Sequence, residues 1–362
     1  MLNSSNLIQP VQLVDGGIQL ILPCGKGLGC LHPHIIYNSL DEKPYWLYYT
    51  PYPPDEAELP YLARSSDGLN FDCVGIRNPL INRGEEGSWD DHHLADIDVL
   101  QVGNRWFMYY SGASYRSGVK RVAVGLATST NGIKWEKLEE PVLIPDERYW
   151  WERGTRHYKG VLCPTVIYLK GKFYMYYESI DSHGLSHIAL AESTNGVDFE
   201  RVGVVLSPKL PWERLGVNHP FIVKYDDKLI MLYVGFDEEH FRLGVAIGNV
   251  EDPLHFTRYK RPLLPGREHP ISKLLRRLPL LQKVTSLSIR LIVSKMVRRF
   301  TQYSIPSPFW NTWYAYRSSL LSTPSRELVL DKENTTLLYV SVYDSISLIP
   351  SIGVYRVRVE LE

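Results

Sequence analysis

The chain has no excess charge of either sign, with 40 Lys and Arg against 40 Asp and Glu in 362 residues. A balanced surface gives no long-range field to gather a polyanion, so no nucleic-acid partner is expected. Cysteine is scarce, and Cys24, Cys30, Cys73 and Cys163 follow no zinc-ligand spacing. No stretch reaches the roughly 18 uninterrupted apolar residues that a membrane span needs. The opening residues, Met1 to Ile8, have neither a charged region nor a long apolar one, so no signal peptide is expected. A cytoplasmic protein with free thiols is the expectation. The glycine-rich stretch from Pro23 to Gly29 lacks the spacing of a phosphate-binding loop.

What the sequence does have is a repeat. His93 to Gly112 reads as a hairpin: an apolar strand through Val99, Leu100 and Val102, a Gly103-Asn104 turn, and an aromatic return from Trp106 to Tyr110. Leu162 to Glu178 and Asn218 to Tyr233 repeat the phrase, and Leu31 to Tyr49 is a looser copy. A second phrase follows each of the first three hairpins: Ser65-Ser-Asp-Gly68, Ser129-Thr-Asn-Gly132 and Ser193-Thr-Asn-Gly196, each a turn with residues suited to positive φ. A third phrase closes units at Asn78-Pro79, Glu140-Pro141 and Arg261-Pro262. Tyr48, Tyr109, Tyr176 and Leu232 stand 61, 67 and 56 residues apart. Four short strands at such a period are the signature of a β-propeller, in which each blade buries its faces against its neighbours. The expected fold is all-β: one five-bladed propeller over residues 1–362, closed by an opening strand within Val11 to Leu22 and ending on strands at 336–341 and 352–359.

One stretch breaks the pattern. From His269 to Phe300 there are eight Lys or Arg and no Asp or Glu, and Leu274, Leu278, Leu281, Val284 and Leu291 recur at helical spacing. Residues 266–312 therefore read as a basic helical insertion between blades four and five. It is either a flap on the propeller edge or, through 269–300, a peripheral contact with an anionic membrane surface.

In a propeller the first strand of each blade lines the central channel, so strand-start residues converge. The equivalent positions are His32, Asp96, Cys163 and His219, followed two residues on by His34, Asp98, Thr165 and Phe221. Blade packing does not ask for carboxylates or imidazoles there. Asn218 stands beside them. The loops before blades two and three add Trp89, Asp91, His93, Glu152, Arg156 and His157, and the last blade adds Trp313 and Arg317. His32, His34, Asp96 and His219 also suit a divalent cation on the channel axis.

Hairpins and turn phrases of this kind resemble the five-bladed propeller glycosidases of glycoside hydrolase families 43 and 32, the arabinanase-, xylosidase- and invertase-like enzymes. The resemblance covers nearly the whole chain except the insertion. It implies acidic residues at the starts of blades one, two and three. The blade-two acid matches Asp96 or Asp98. Blade one has His32-Pro33 where the families have Asp-Pro, and blade three has Leu162-Cys163-Pro164 where invertase-like members have Glu-Cys-Pro. The resemblance thus implies a glycoside hydrolase or transglycosylase with a non-standard acid set: Asp96 and Asp98, joined by Glu152 or His157 as proton donor. His32, His34, Trp89, Asp91, His93, Arg156, Asn218, His219, Trp313 and Arg317 would bind an oligosaccharide or glycoconjugate. The alternatives are a non-catalytic sugar-binding propeller and a membrane-surface component of polysaccharide or glycolipid biosynthesis.

Overall fold

A computed structural model of the chain describes residues 10–15, 17–20, 22, 29–52, 58–238, 240–264, 314–343 and 350–361. The expected helical insertion at 266–312 and Trp313 lie outside the described residues. Within them every regular element is a strand, apart from single 3-10 turns at Trp150–Glu152 and Pro211–Glu213. None is a helix long and apolar enough to cross a membrane.

Five antiparallel groups follow one another. Group one holds Gly29–Tyr37, Tyr45–Tyr52 and Tyr61–Ser65, with a bridge from Arg64 to Asp72 in place of a fourth strand. Group two holds His93–Val102, Arg105–Arg116, Val119–Ser129 and Glu136–Lys137. Group three holds Tyr158–Leu169, Lys172–Ile180, Ser186–Ser193 and Glu200–Leu206. Group four holds Gly216–Tyr225, Lys228–Phe236, Phe241–Asn249 and Asp252–Arg258. Group five holds Tyr314–Leu320, Thr335–Tyr343 and Pro350–Val359, and its fourth place is taken by Val11–Leu13, which pairs with Pro350–Val359. The chain's opening strand thus completes its last sheet, as the apolar run from Val11 suggests.

The first strands touch in a closed circuit, group one against two and so on, with five back against one. Each seam has its own apolar cluster. Ile36, Trp46 and Tyr48 meet Leu94, Val99 and Met108 between groups one and two. Ile35 and Leu47 meet Tyr339, Ile352 and Val354 between five and one. Burying each such side chain stabilises the seam by about 1.5–3 kcal/mol. The turn phrases and the second-strand tyrosines explain one another. Tyr48 Oη donates to Gly132 O, Tyr109 Oη to Gly196 O and Tyr339 Oη to Gly68 O. Each tyrosine thus satisfies its buried hydroxyl on the turn glycine of the next group, and the last bond ties group five to group one. The serine of each phrase accepts the amide of that glycine, at 3.0 Å for Gly68 and 2.9 Å for Gly132.

A third device repeats outside the channel. An acid just before the first strand is buried under a tryptophan, bonded by a second-strand tyrosine and paired with a cation from the fourth strand. Asp90 takes Tyr110 and Lys137. Glu152 takes Tyr177 at 2.5 Å and Arg201 at 3.0 Å. Glu213 takes Tyr233 at 2.7 Å and Arg258 at 2.7 Å. Glu152, a sequence candidate for proton donor, is therefore one of three equivalent struts. Its side chain is 0% exposed and both carboxylate oxygens are committed to Arg201. Replacing Glu152 with alanine strands Arg201 at the seam. The expected result is a loss on the order of 3 kcal/mol in chemical denaturation.

Candidate active site

The site is built by a strained bulge repeated in four groups. Strand register slips between Leu31 and His34, Ala95 and Asp98, Leu162 and Thr165, and Asn218 and Phe221. At each slip the second residue after the last regular pair but one takes a left-handed backbone: His32 at φ 55°, Asp96 at 52°, Cys163 at 51° and His219 at 47°. A non-glycine residue there costs about 1 kcal/mol or more. Bulges re-aim side chains, and these four all come together at one end of the circuit. The register slips in group five as well, between Ala315 and Ser318, and Tyr316 stands there in the place of His32 and lines the same pocket. Arg317, the next residue, approaches Asp96.

His32, Asp96 and His219 floor a pocket of about 440 Å³, walled by Tyr52, Glu58, His93, Lys120, Tyr158, Leu162, Glu178, Ser186, Asn218, Phe236, Phe241 and Tyr316. Asp96 is the hub. Its Oδ1 lies 3.4 Å from His32 Nε2, 3.7 Å from His219 Nε2 and 3.8 Å from Arg317 Nη1. His32 Nδ1 reaches Thr50 Oγ1 at 2.6 Å and lies 3.5 Å from Glu58 Oε2. Glu178 accepts from Ser186 Oγ at 2.9 Å and from Cys163 Sγ at 3.4 Å, and its Oε2 is 3.8 Å from His219 Nδ1.

Burial sets the protonation states. It pushes the His32 imidazole down to about 4 and that of His219 down to about 3, so both are neutral at neutral pH. It also opposes the charge on Asp96, but His32, His219 and Arg317 outweigh it and hold that carboxyl below the usual range. Burial raises Glu58 to about 8, with repulsion from Asp96 adding to it. Burial likewise raises Glu178 to about 7. An ionised acid, Asp96, thus stands beside a protonated one, Glu58, the division of labour that acid–base chemistry needs.

The sequence candidates divide by position. His32, His93, Asp96, Asn218 and His219 line the pocket. Arg317 lies just beneath it, donating Nη2 to Ile97 O and Pro164 O. Asp98 and His34 lie deeper, both 0% exposed, with His34 Nδ1 3.5 Å from Asp98 Oδ1 and Arg326 paired to Asp98. The bulge separates Asp96 from Asp98, so the two do not share the pocket. His157 and Arg156 are exposed and away from the lining. Trp89 stacks on Tyr110 and donates Nε1 to Glu139 O, and Asp91 accepts the Gly87 amide. The thiols also differ from expectation: Cys73 and Cys163 are free, but Cys30 is disulfide-bonded.

Sequence reasoning missed Glu58, Glu178, Lys120 and Tyr158. Glu178 carried a signal. It sits two residues after Tyr176, where the equivalent second strands carry Thr50 after Tyr48 and Ser111 after Tyr109. A carboxyl in a slot built for a small hydroxyl is an anomaly that aligning second strands would reveal. Glu58 carried none, because it enters from the loop before Tyr61–Ser65, outside the repeat.

Fold and pocket together define a β-propeller of the glycosidase type. Comparison with known proteins agrees. Residues 152–273 match glycoside hydrolase family 130, described as beta-1,4-mannooligosaccharide phosphorylase. A beta-1,2-mannobiose phosphorylase of Thermoanaerobacter sp. is 32% identical over 111 residues, which span 27% of this chain and 35% of the relative. Among solved structures, an N-acetylgalactosamine deacetylase from F. plautii, in complex with blood group B trisaccharide, superposes with a TM-score of 0.64. Its identity is 15%, over 97% of this chain and 96% of its own. A Bombyx mori β-fructofuranosidase of glycoside hydrolase family 32 superposes with a TM-score of 0.56 at 14% identity, over 95% of this chain and 63% of its own. The resemblance to propeller glycosidases holds for the fold, and the sequence match falls in family 130.

Proposed function

We propose that the chain is a single five-bladed propeller that cleaves β-mannosidic bonds in oligosaccharides, with the pocket around Asp96 as its active site. The observation that carries this reading is three carboxyl groups from two neighbouring groups of strands and an adjoining loop, Asp96, Glu178 and Glu58, around one pocket. Glycoside cleavage needs such a set: one acid to protonate the leaving oxygen and charge on the other side to assist the attacking group. Glu58 is the donor, since it keeps 21% of its side chain accessible while remaining protonated at neutral pH. Attack occurs on the Asp96 side. Neutral imidazoles, Asn218 and Tyr158 provide hydrogen bonds to sugar hydroxyls, and Tyr316, Phe236 and Phe241 provide apolar faces. The mannoside preference is supported by the family-130 match and the mannobiose phosphorylase relative.

Water is the proposed acceptor, because Lys120 is the one Lys or Arg in the described lining and a phosphate dianion would meet Asp96. The relatives favour phosphate. Incubating the protein with β-1,2- and β-1,4-mannobiose, with and without inorganic phosphate, separates the readings. Mannose released equally in both supports hydrolysis. Mannose 1-phosphate appearing only with phosphate makes the protein a phosphorylase. Calorimetric binding with no turnover under either condition makes it a sugar-binding module and removes the enzyme reading.

The donor assignment has a pH consequence. A carboxyl raised to about 8 is protonated below that pH and lost as a donor above it. The expected kcat/KM is therefore flat through neutrality and falls as pH rises through about 8. Glu58→Gln is expected to lower the rate by about 10²–10⁴-fold and remove the alkaline fall. An unchanged alkaline limb in Glu58→Gln shows that another group is the donor.

A further inference from the structure

We propose that the pocket floor is a binding site for a divalent cation of the zinc class, held by Asp96, Cys163 and His219. One ligating atom from each of these residues lies within 4.8 Å of the others. The three come from the first strands of groups two, three and four, each at the strained bulge position, and they are 5%, 0% and 3% exposed. Asp96 Oδ1 and both ring nitrogens of His219 have no hydrogen-bond partner among the described residues. Buried polar atoms without partners are costly, and one cation between them engages the carboxylate, one ring nitrogen of the imidazole and the thiolate together.

The donor set selects the metal. Calcium and magnesium prefer oxygen throughout, whereas a set of sulfur, nitrogen and carboxylate oxygen suits zinc. The axial set read from the sequence, with His34, is not assembled, because His34 lies below beside Asp98. Arg317 near Asp96 also faces Asp98 at 4.0 Å. The Cys163 thiol donates to Glu178 at 3.4 Å, and metal binding displaces that proton. Three protein ligands leave a fourth position for water, and Asp96 and His219 both line the pocket. This inference rests on the proposed active site and supplies what activates the acceptor there. The bound water gives a proton to solvent, its oxygen bonds the anomeric carbon as the glycosidic carbon–oxygen bond breaks, and Glu58 protonates the leaving oxygen.

Metal binding is read without turnover. Full-length protein is stripped with a chelator and titrated with cobalt(II), a spectroscopic substitute for zinc, while the protein as purified is assayed for zinc. The expected result is one equivalent per chain, with a near-ultraviolet thiolate-to-cobalt charge-transfer band. The band persists in Cys73→Ser, disappears in Cys163→Ser, and weakens with at least tenfold lower affinity in His219→Gln. No band in wild type overturns the site without recourse to any variant, and so does a band that survives Cys163→Ser. A band in a protein that cleaves no glycoside retains the metal site and removes the glycosidase reading. Full glycosidase activity in stripped protein that shows no band does the reverse.

Discussion

Under the proposed function, Asp96→Asn is expected to lower turnover of a β-mannoside by about 10²–10⁴-fold while leaving the protein folded. Asp96 is the point where the pocket's interactions meet: two imidazoles and a guanidinium approach its Oδ1 within 3.8 Å. Asparagine preserves its shape and one acceptor, so the seams between groups are not disturbed. It removes the negative charge, which either faces the oxocarbenium-like transition state or holds the cation that carries the nucleophile. Steady-state rates, with circular dichroism and thermal unfolding on the same sample, check the result. The control is Glu152→Gln, which leaves the pocket untouched and should keep its rate. An Asp96→Asn protein with wild-type turnover would move the chemistry elsewhere.

The sequence carried the fold and half of the site, and the division has a physical cause. Anything the repeat imposes was readable. The hairpins, the turns of the first three groups, with Asp-Gly or Asn-Gly after a serine, and the opening strand all follow from local rules. The positions His32, Asp96, Cys163 and His219 were readable as equivalents because each follows the same strand start. Their convergence depends on a bulge, which leaves only a shared spacing in the sequence. Glu152 was nominated without use of a second pattern in the sequence. Asp90, Glu152 and Glu213 form a repeat of their own, each after a tryptophan, and a residue that recurs around a ring is more often a strut than a reactive group. The groups that break the repeat, Glu58 and Glu178, are the ones at the pocket. Arg317 was nominated near the channel mouth, but the residue equivalent to His32 in group five is its neighbour Tyr316, which only the strand register reveals.

The largest stability effect is expected at Asp98, two residues from Asp96 and in a different environment. Asp98, Arg317 and Arg326 are 0%, 1% and 0% exposed. Asp98 pairs with Arg326, lies 4.0 Å from Arg317 Nη2, and takes the Val166 amide at 2.9 Å. Asp98 thus neutralises Arg326 and shares Arg317 with Asp96 in the interior beneath the pocket. Asp98→Asn keeps the bond from Val166 but strands the charges, and losing one partner of a buried pair costs about 3–5 kcal/mol. In a chain of this size that is a fall on the order of 10 °C in Tm. Replacing Arg326 with methionine in the same protein removes one stranded charge, and Met can pack on Phe221, whose ring Arg326 now covers at 5.1 Å. The double variant should recover much of the loss, and the recovered fraction measures the coupling. Below its unfolding temperature Asp98→Asn should retain kcat within a few-fold of wild type. Unaltered stability with abolished turnover would instead place Asp98 in the chemistry beside Asp96, and the bulge would then not separate their roles.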